Sequence, residues 1–323
     1  MASRATDNLR TYFRKATLPE MLCDPSAPQM PPAGQRSQYV SVRVGHEPWR
    51  QLVELRHLWE VWGASLEEMT KVWADEGIPT QSISAEDMDE ETGERFTVPC
   101  GPTFDIPLHV GRRPTDITRM IPWLDYLSLM TVQRMLHLVF PAQTADWSFS
   151  LVDSTDNKDR KVYQQFVWSY SGRGKPTVFT PLGNIARYPL VVAFQPPWIL
   201  SAQDMLEFSE CREFPQFGPS NAHPPALEAK ERLWAKVWDT CVSHKTRWFV
   251  LTSYTHWIFG VFSESWTIGF ASNVYRFDAR DPTILELLAF WTAYAMRLPG
   301  WRGLPKIRET LTSGPPRIPA TSS

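Results

Sequence analysis

The chain has 323 residues, of which 43% are apolar and 21% charged, and its formal net charge is −2. That profile belongs to a folded protein of one large domain or two ordinary ones, and the near-neutral charge excludes a general attraction to phosphate backbones. The 15 Trp and 17 Phe are expected to fill the core, because each large ring buries much area.

The first residues, MASRATDNLRTYFRKATL, lack the apolar stretch of a secretory signal, and Arg10, Arg14 and Lys15 around Tyr12 and Phe13 predict a short surface helix. Residues 23–37 form a Pro-rich link, so 1–37 is expected to be a flexible N-terminal segment. A strand is expected over Tyr39–Val44. Leu52, Leu55, Trp59 and Trp62 then fall at helical spacing and predict a helix over Glu47–Trp62 with Gly63 at its C-terminal turn. Ser65 and Glu68 form a capping box for the next helix, with Met69, Val72 and Trp73 as its inner face. The acidic run from Glu86 to Glu91, followed by Glu94, fails the register of a calcium loop: Thr92 stands where glycine is required. A solvated acidic loop is the expectation, and 38–114 reads as a helical extension with acidic and Pro-rich loops.

The core domain is expected over 115–302. Pro122 at a first helical position opens a nearly all-apolar helix to Phe140. Strands follow at Trp147–Val152, Gln165–Tyr170, Thr177–Phe179 and Leu190–Phe194. Ser201 with Asp204 caps the next helix, and a longer one carries Leu227, Leu233, Trp234, Val237, Trp238 and Cys241. Arg247–Phe262 alternates apolar residues on both faces, as strands do inside a sheet covered on both sides. Asp281 and Pro282 are expected to cap and open a last helix carrying Ile284, Leu285, Leu288, Trp291 and Ala295. The Pro/Ser-rich residues 303–323 read as a disordered tail. The predicted fold class is α+β, a mixed central sheet flanked by helices.

Most local motifs fail on spacing. Gly172, Gly174 and Lys175 resemble a phosphate loop, but Ser169 stands at its first glycine and Pro176 at its magnesium-binding hydroxyl. Cys23, Cys100, Cys211 and Cys241 include no CxxC pair, which fits a reduced, intracellular protein of cytoplasm or nucleus. Cys241, His244 and His256 lack a fourth metal ligand, and no GxSxG elbow exists. His57 and His137 lie in stretches read as apolar helices and are expected at the edge of the core. No uninterrupted apolar run reaches the roughly 20 residues of a membrane span.

The order of a helix, a strand near KPT, a strand ending in AFQ, a long helix, further strands and a final helix resembles the restriction-endonuclease-like fold of the PD-(D/E)XK superfamily. It is most similar to the nuclease-like domain found beside fungal-specific kinase domains, over roughly Trp123 to Met296. The chain also resembles a family of Trp- and Pro-rich proteins of mushroom-forming fungi. The resemblance places the PD dipeptide on Pro176-Thr177 and the (D/E)XK tripeptide on Ala193-Phe194-Gln195. Active members hold a divalent metal with the two carboxylates, and the lysine positions the attacking water. Thr177, Ala193 and Gln195 supply neither carboxylates nor cation, so the site is degenerate and no catalytic residue, metal or cofactor is expected. Asp153 and Glu207 are the candidates for a relocated carboxylate. Arg173, Lys175, Arg187 and Trp198 are the candidate binding residues. The expected function is non-catalytic binding or scaffolding with protein as the partner and no membrane association. The alternatives are an enzyme with a relocated metal-dependent nuclease site, or a nucleic-acid binder whose weak affinity collapses with salt.

Overall fold

A computed structural model describes residues 8–37, 43–80, 82, 89–90, 92–98, 112–152, 159–171, 188–216, 226–300, 305 and 307–309. The helices are α1 (Leu9–Lys15), α2 (Trp59–Trp62), α3 (Leu66–Gly77), α4 (Ile117–Pro122), α5 (Met130–Val139), α6 (Pro141–Thr144), α7 (Ala202–Glu210), α8 (Ala229–His244) and α9 (Ile284–Ala295). The strands are β1 (Glu54–His57), β2 (Trp147–Val152), β3 (Gln164–Tyr170), β4 (Leu190–Phe194), β5 (Trp248–Thr252), β6 (His256–Phe262), β7 (Ile268–Ala271) and β8 (Tyr275–Arg276). They form one mixed sheet in the order β1-β7-β6-β5-β4-β3-β2, with β8 on β6. β1 runs parallel to β7 and β4 parallel to β5, and the other neighbours are antiparallel. The α+β class and the mixed sheet flanked by helices are therefore as the sequence predicts.

Alternation along the central strands divides the core into two layers. Leu190, Val192, Phe194, Trp248, Val250, Trp257, Phe259 and Val261 pack in one cluster with α3, α5 and α9. Val191, Ala193, Phe249, Leu251, Ile258 and Phe262 pack in the other with Met205 and Phe208 of α7 and Leu233, Trp234 and Trp238 of α8. Gly260 sits where the second layer is tightest: a Cβ there would stand 2.1 Å from Phe249 Cζ and 2.6 Å from the Phe270 carbonyl oxygen. The indole-rich composition is core composition, with Trp168, Trp234, Trp238, Trp257 and Trp291 among the fully buried side chains.

Several local expectations change. The stretch read as one helix over Glu47–Trp62 contains a single 3₁₀ turn at Pro48–Arg50, then β1, then the four-residue α2. Leu55 is buried as predicted, but as a strand residue opposite Gly269, so a partner more than 200 positions away overrides the local spacing. His57 accordingly lies on a strand. Pro122 is not a first helical residue. Asp116 caps the helix by accepting from the Arg119 amide, and the chain passes through Pro122 into a wider π-helical stretch (Trp123–Leu129) before α5. Proline supplies no amide hydrogen, and the i→i+5 bonding that follows fits that loss. The last helix is capped by Thr283 in a box with Glu286 rather than by Asp281. The capping boxes of Ser65 with Glu68 and Ser201 with Asp204 form as predicted, although Val72 is exposed, with Trp73 and Ala74 buried beside it. The strand expected over Tyr39–Val44 falls mostly on residues outside those described, as does Thr177–Phe179.

Residues 9–21 are packed rather than loose, while most of 22–36 is exposed. Leu9, Phe13, Leu18 and Met21 join the first core layer. Phe13 O accepts from Thr283 Oγ1 at 2.7 Å, Pro19 O from Tyr254 OH at 2.9 Å, and Ile78 O from the Arg10 guanidinium. One apolar cluster thus runs from Leu9 to Leu298 and joins segments that the sequence assigns to separate regions. No helix among the described residues is long and apolar enough to cross a membrane.

Candidate functional site

Because β4 and β5 are parallel, their carboxyl ends meet at the same side of the sheet, the position where open α/β sheets commonly hold ligands. β4 continues into Gln195-Pro196-Pro197-Trp198 and β5 into Ser253-Tyr254. The Gln195 amide donates to Thr252 O at 3.1 Å and carries the ladder one step past the strand. Its side-chain Nε2 donates to Val162 O at 3.1 Å, whereas its fully buried Oε1 has no hydrogen-bond partner among the described residues. Ala193 turns its methyl into the second core layer. Trp198 is half-buried against the first.

The corner after β5 is closed by its own hydroxyls. Thr252 Oγ1 donates to His256 O at 2.9 Å and accepts from the Tyr254 amide at 2.9 Å. Tyr254 takes a left-handed φ of 68° and sends its hydroxyl to Pro19 O. Burial, with Arg276 nearby, pushes His256 below its ordinary value and favours the neutral ring.

The N-terminal segment lies against this end of the sheet. The Ser37 amide donates to Asp204 Oδ2 at 3.0 Å, Ser37 Oγ donates to Ile199 O, and Ser201 Oγ donates to Gln35 O at 3.0 Å. Arg36 pairs with Glu207 at 2.6 Å, and Gln203 also donates to that carboxylate. Burial raises the Glu207 carboxyl, but these bonds outweigh it and hold the group below its ordinary value. Glu207 is therefore an anchor for residues 35–37, and its carboxylate is already engaged.

The structure brings Ala193, Gln195 and Trp198 to one end of the sheet with Glu207 on the following helix. Asp153, Arg173, Lys175, Thr177 and Arg187 lie outside the described residues. Among the described residues no three His, Cys, Asp or Glu side chains converge as a metal site would require. Burial raises the Cys241 thiol well above its ordinary value, and the thiol lies inside the second layer.

Two polar clusters elsewhere are absent from the sequence reading. Glu94, expected in a solvated loop, is buried: His137 Nδ1 lies 2.7 Å from its Oε2, and Gln133 Nε2 donates to its Oε1. Burial raises this carboxyl, yet the bonds from His137 and Gln133 outweigh it and leave it lowered. His137 Nε2 lies 2.8 Å from Trp147 O, and Gln133 Oε1 accepts from the Phe149 amide at 2.8 Å. The cluster thereby satisfies backbone groups along the outer edge of β2, which would otherwise invite another strand. The signal legible in advance is Gln133 and His137 at i,i+4 on an otherwise apolar helix. The second cluster joins His46 and Asp239: the His46 amide and Nδ1 stand 2.8 and 2.5 Å from Oδ1. No family model matches the chain, and no curated protein or solved structure does.

Proposed function

We infer that the chain is a non-catalytic binding or scaffold protein on a degenerate nuclease-like fold. The carrying observation is the state of the two described motif positions. Ala193 contributes a methyl to the core, and Gln195 contributes an amide whose donor is tied to a backbone carbonyl. A hard cation needs anionic oxygen at such positions, and neither side chain offers it. The engagement of Glu207 by Arg36 and Gln203 supports the same reading, because a relocated ligand would first have to leave both partners. The element order also favours the nuclease-like assignment: a long helix, strands β2 to β4 ending beside Gln195, the long α8, then β5 and the final α9.

The test has two arms. Purified protein is incubated with plasmid, single-stranded DNA and RNA in Mg²⁺ and then Mn²⁺, beside Asp153→Ala and Glu207→Ala variants. No cleavage is expected, and cleavage lost in either variant would replace the reading with a relocated nuclease site. In the second arm, pull-down with mass spectrometry is expected to recover protein in a nuclease-resistant manner. Recovery that disappears on nuclease treatment would favour a nucleic-acid binder.

A further inference from the structure

The residues expected in a disordered tail include a seated one. Glu309 places its carboxylate among the residues of the β6–β7 turn: Ser263 Oγ donates to it at 2.7 Å, Thr267 Oγ1 at 2.6 Å and the Ser265 amide at 3.1 Å. Ile307, two residues earlier, packs against the first core layer, and Arg308 between them is exposed. The seated piece is thus an apolar-x-Glu triplet whose first and third side chains contact the protein while the middle one is exposed. The turn is fixed by bonds that do not involve the triplet. The Ser263 amide donates to Ile268 O, the Ile268 amide to Ser263 Oγ, the Trp266 amide to Ser263 O, and Gln51 Nε2 to Ser265 O. Trp266 is held at a φ of 64°, a conformation costly for a bulky residue and tolerated where the surroundings impose it. Trp238 Nε1 donates to its carbonyl. Ser263 and Thr267 are nearly fully buried, so with the carboxylate removed their hydroxyls would lose a strong acceptor. Arg247 lies close enough to Glu309 to add attraction without forming the bonds itself.

We propose that the Ser263–Thr267 turn is a recognition site for a glutamate-bearing peptide segment of apolar-x-Glu pattern on a protein partner, with Ile307-Arg308-Glu309 as its built-in competing occupant. The proposal deepens the binding reading and rests on it. Its specificity follows from chemistry: two hydroxyls and an amide hydrogen satisfy a carboxylate, and the apolar surface that Ile307 packs against two residues away takes a branched aliphatic side chain.

The test uses the full chain and a fluorescent peptide Lys-Ile-Arg-Glu-Thr-Leu, the sequence of residues 306–311. The Glu309→Ala chain is expected to bind this peptide at least tenfold more tightly than the wild-type chain, whose site is occupied. Replacing the peptide's Glu by Gln, or adding Thr267→Val to the Glu309→Ala chain, is expected to weaken binding at least tenfold. Thr267→Val preserves volume, and thermal melting checks that the variant is folded. If it is not, the Gln peptide and an Ile-to-Ala peptide carry the same test on the folded Glu309→Ala chain. Absence of binding to the Glu309→Ala chain, or binding indifferent to Glu-to-Gln, overturns the proposal while leaving the pull-down arm for the broader reading intact.

Discussion

The centre of the sheet is buried throughout, whereas the segment over residues 8–37 buries apolar anchors chiefly between Leu9 and Met21 and runs largely exposed beyond them, and different forces hold the two. Every residue of β4 and β5 is buried, and neighbouring strands place apolar side chains on both faces at a period of two. That burial is non-directional and scales with area. Residues 8–37 also contribute apolar anchors, but much of the segment has no ladder. Its backbone carbonyls at Phe13, Pro19 and Gln35 each take a hydrogen from a different side chain, Thr283, Tyr254 and Ser201. The centre should therefore respond to lost volume, whereas the segment should respond to single lost bonds.

The largest expected effect is at the centre. Phe259 is fully buried between Trp291 and Tyr275, with ring centroids 6.0 Å away in both cases. Phe259→Ala should cost about 3–5 kcal/mol in urea unfolding, as large-to-small changes in tight cores do. A loss below about 1 kcal/mol would show that this layer repacks freely and would erase the contrast.

Next in size is the Glu94 cluster, where burial and directional bonding coincide. Glu94→Gln keeps the shape and removes the charge that assists two hydrogen bonds, and should cost about 1–3 kcal/mol at neutral pH. The carboxyl is lowered on folding, so its contribution is complete above the unfolded value near 4.5 and is lost as pH falls through the lower folded value. Wild type should thus lose stability faster than Glu94→Gln on acidification below that point. Parallel pH–stability curves for the two chains would remove Glu94 from the account.

The same contrast explains what could be read in advance. β5 and β6 follow from alternation, β4 from a short apolar run, and two capping boxes follow from Ser-x-x-Glu and Ser-x-x-Asp spacing, because those signals are local. β1 was hidden, since Leu52, Leu55, Trp59 and Trp62 mimic a helical stripe while the deciding bond partners stand near residue 269. Pro-rich composition reads as a link over 23–37, and most of that stretch is indeed exposed and irregular, but its end at 35–37 is tethered. Bonds from Ser201 and Ser37 beside it are tertiary and leave no trace in spacing. Around the candidate site, the strand that carries Ala193 and ends beside Gln195 is legible in its apolar run, while the engagement of Glu207 depends on Arg36, 171 positions earlier, and no local pattern reports it.

A smaller effect is expected from Tyr254→Phe, which removes the bond to Pro19 O and little volume. The global cost should be about 0.5–1.5 kcal/mol. The sharper readout is local: amide exchange over residues 18–24 should accelerate, while exchange in β5 and β6 should change only with the global stability. Uniform acceleration across both regions would mean that the segment and the sheet open as one unit.

The smallest expected effect is at Arg36 and Glu207, and it separates two roles for the carboxylate. Arg36 is well exposed, so screening leaves its pair with little influence on global stability. If Glu207 serves as an anchor, Arg36→Ala and Glu207→Ala should produce the same local change: faster amide exchange at residues 35–37 with an unchanged unfolding midpoint. The double variant should then add nothing to either single one, because each alone already breaks the shared ion pair. A metal-ligand role predicts asymmetry instead, since removing Arg36 would free the carboxylate whereas removing Glu207 would abolish it. Mn²⁺ titration of the Arg36→Ala chain distinguishes the cases: a midpoint that rises with Mn²⁺, and no longer rises when Glu207→Ala is added, would assign Glu207 to a metal. Insensitivity of both chains to Mn²⁺ would keep it as the residue that fastens the N-terminal segment to the end of the sheet.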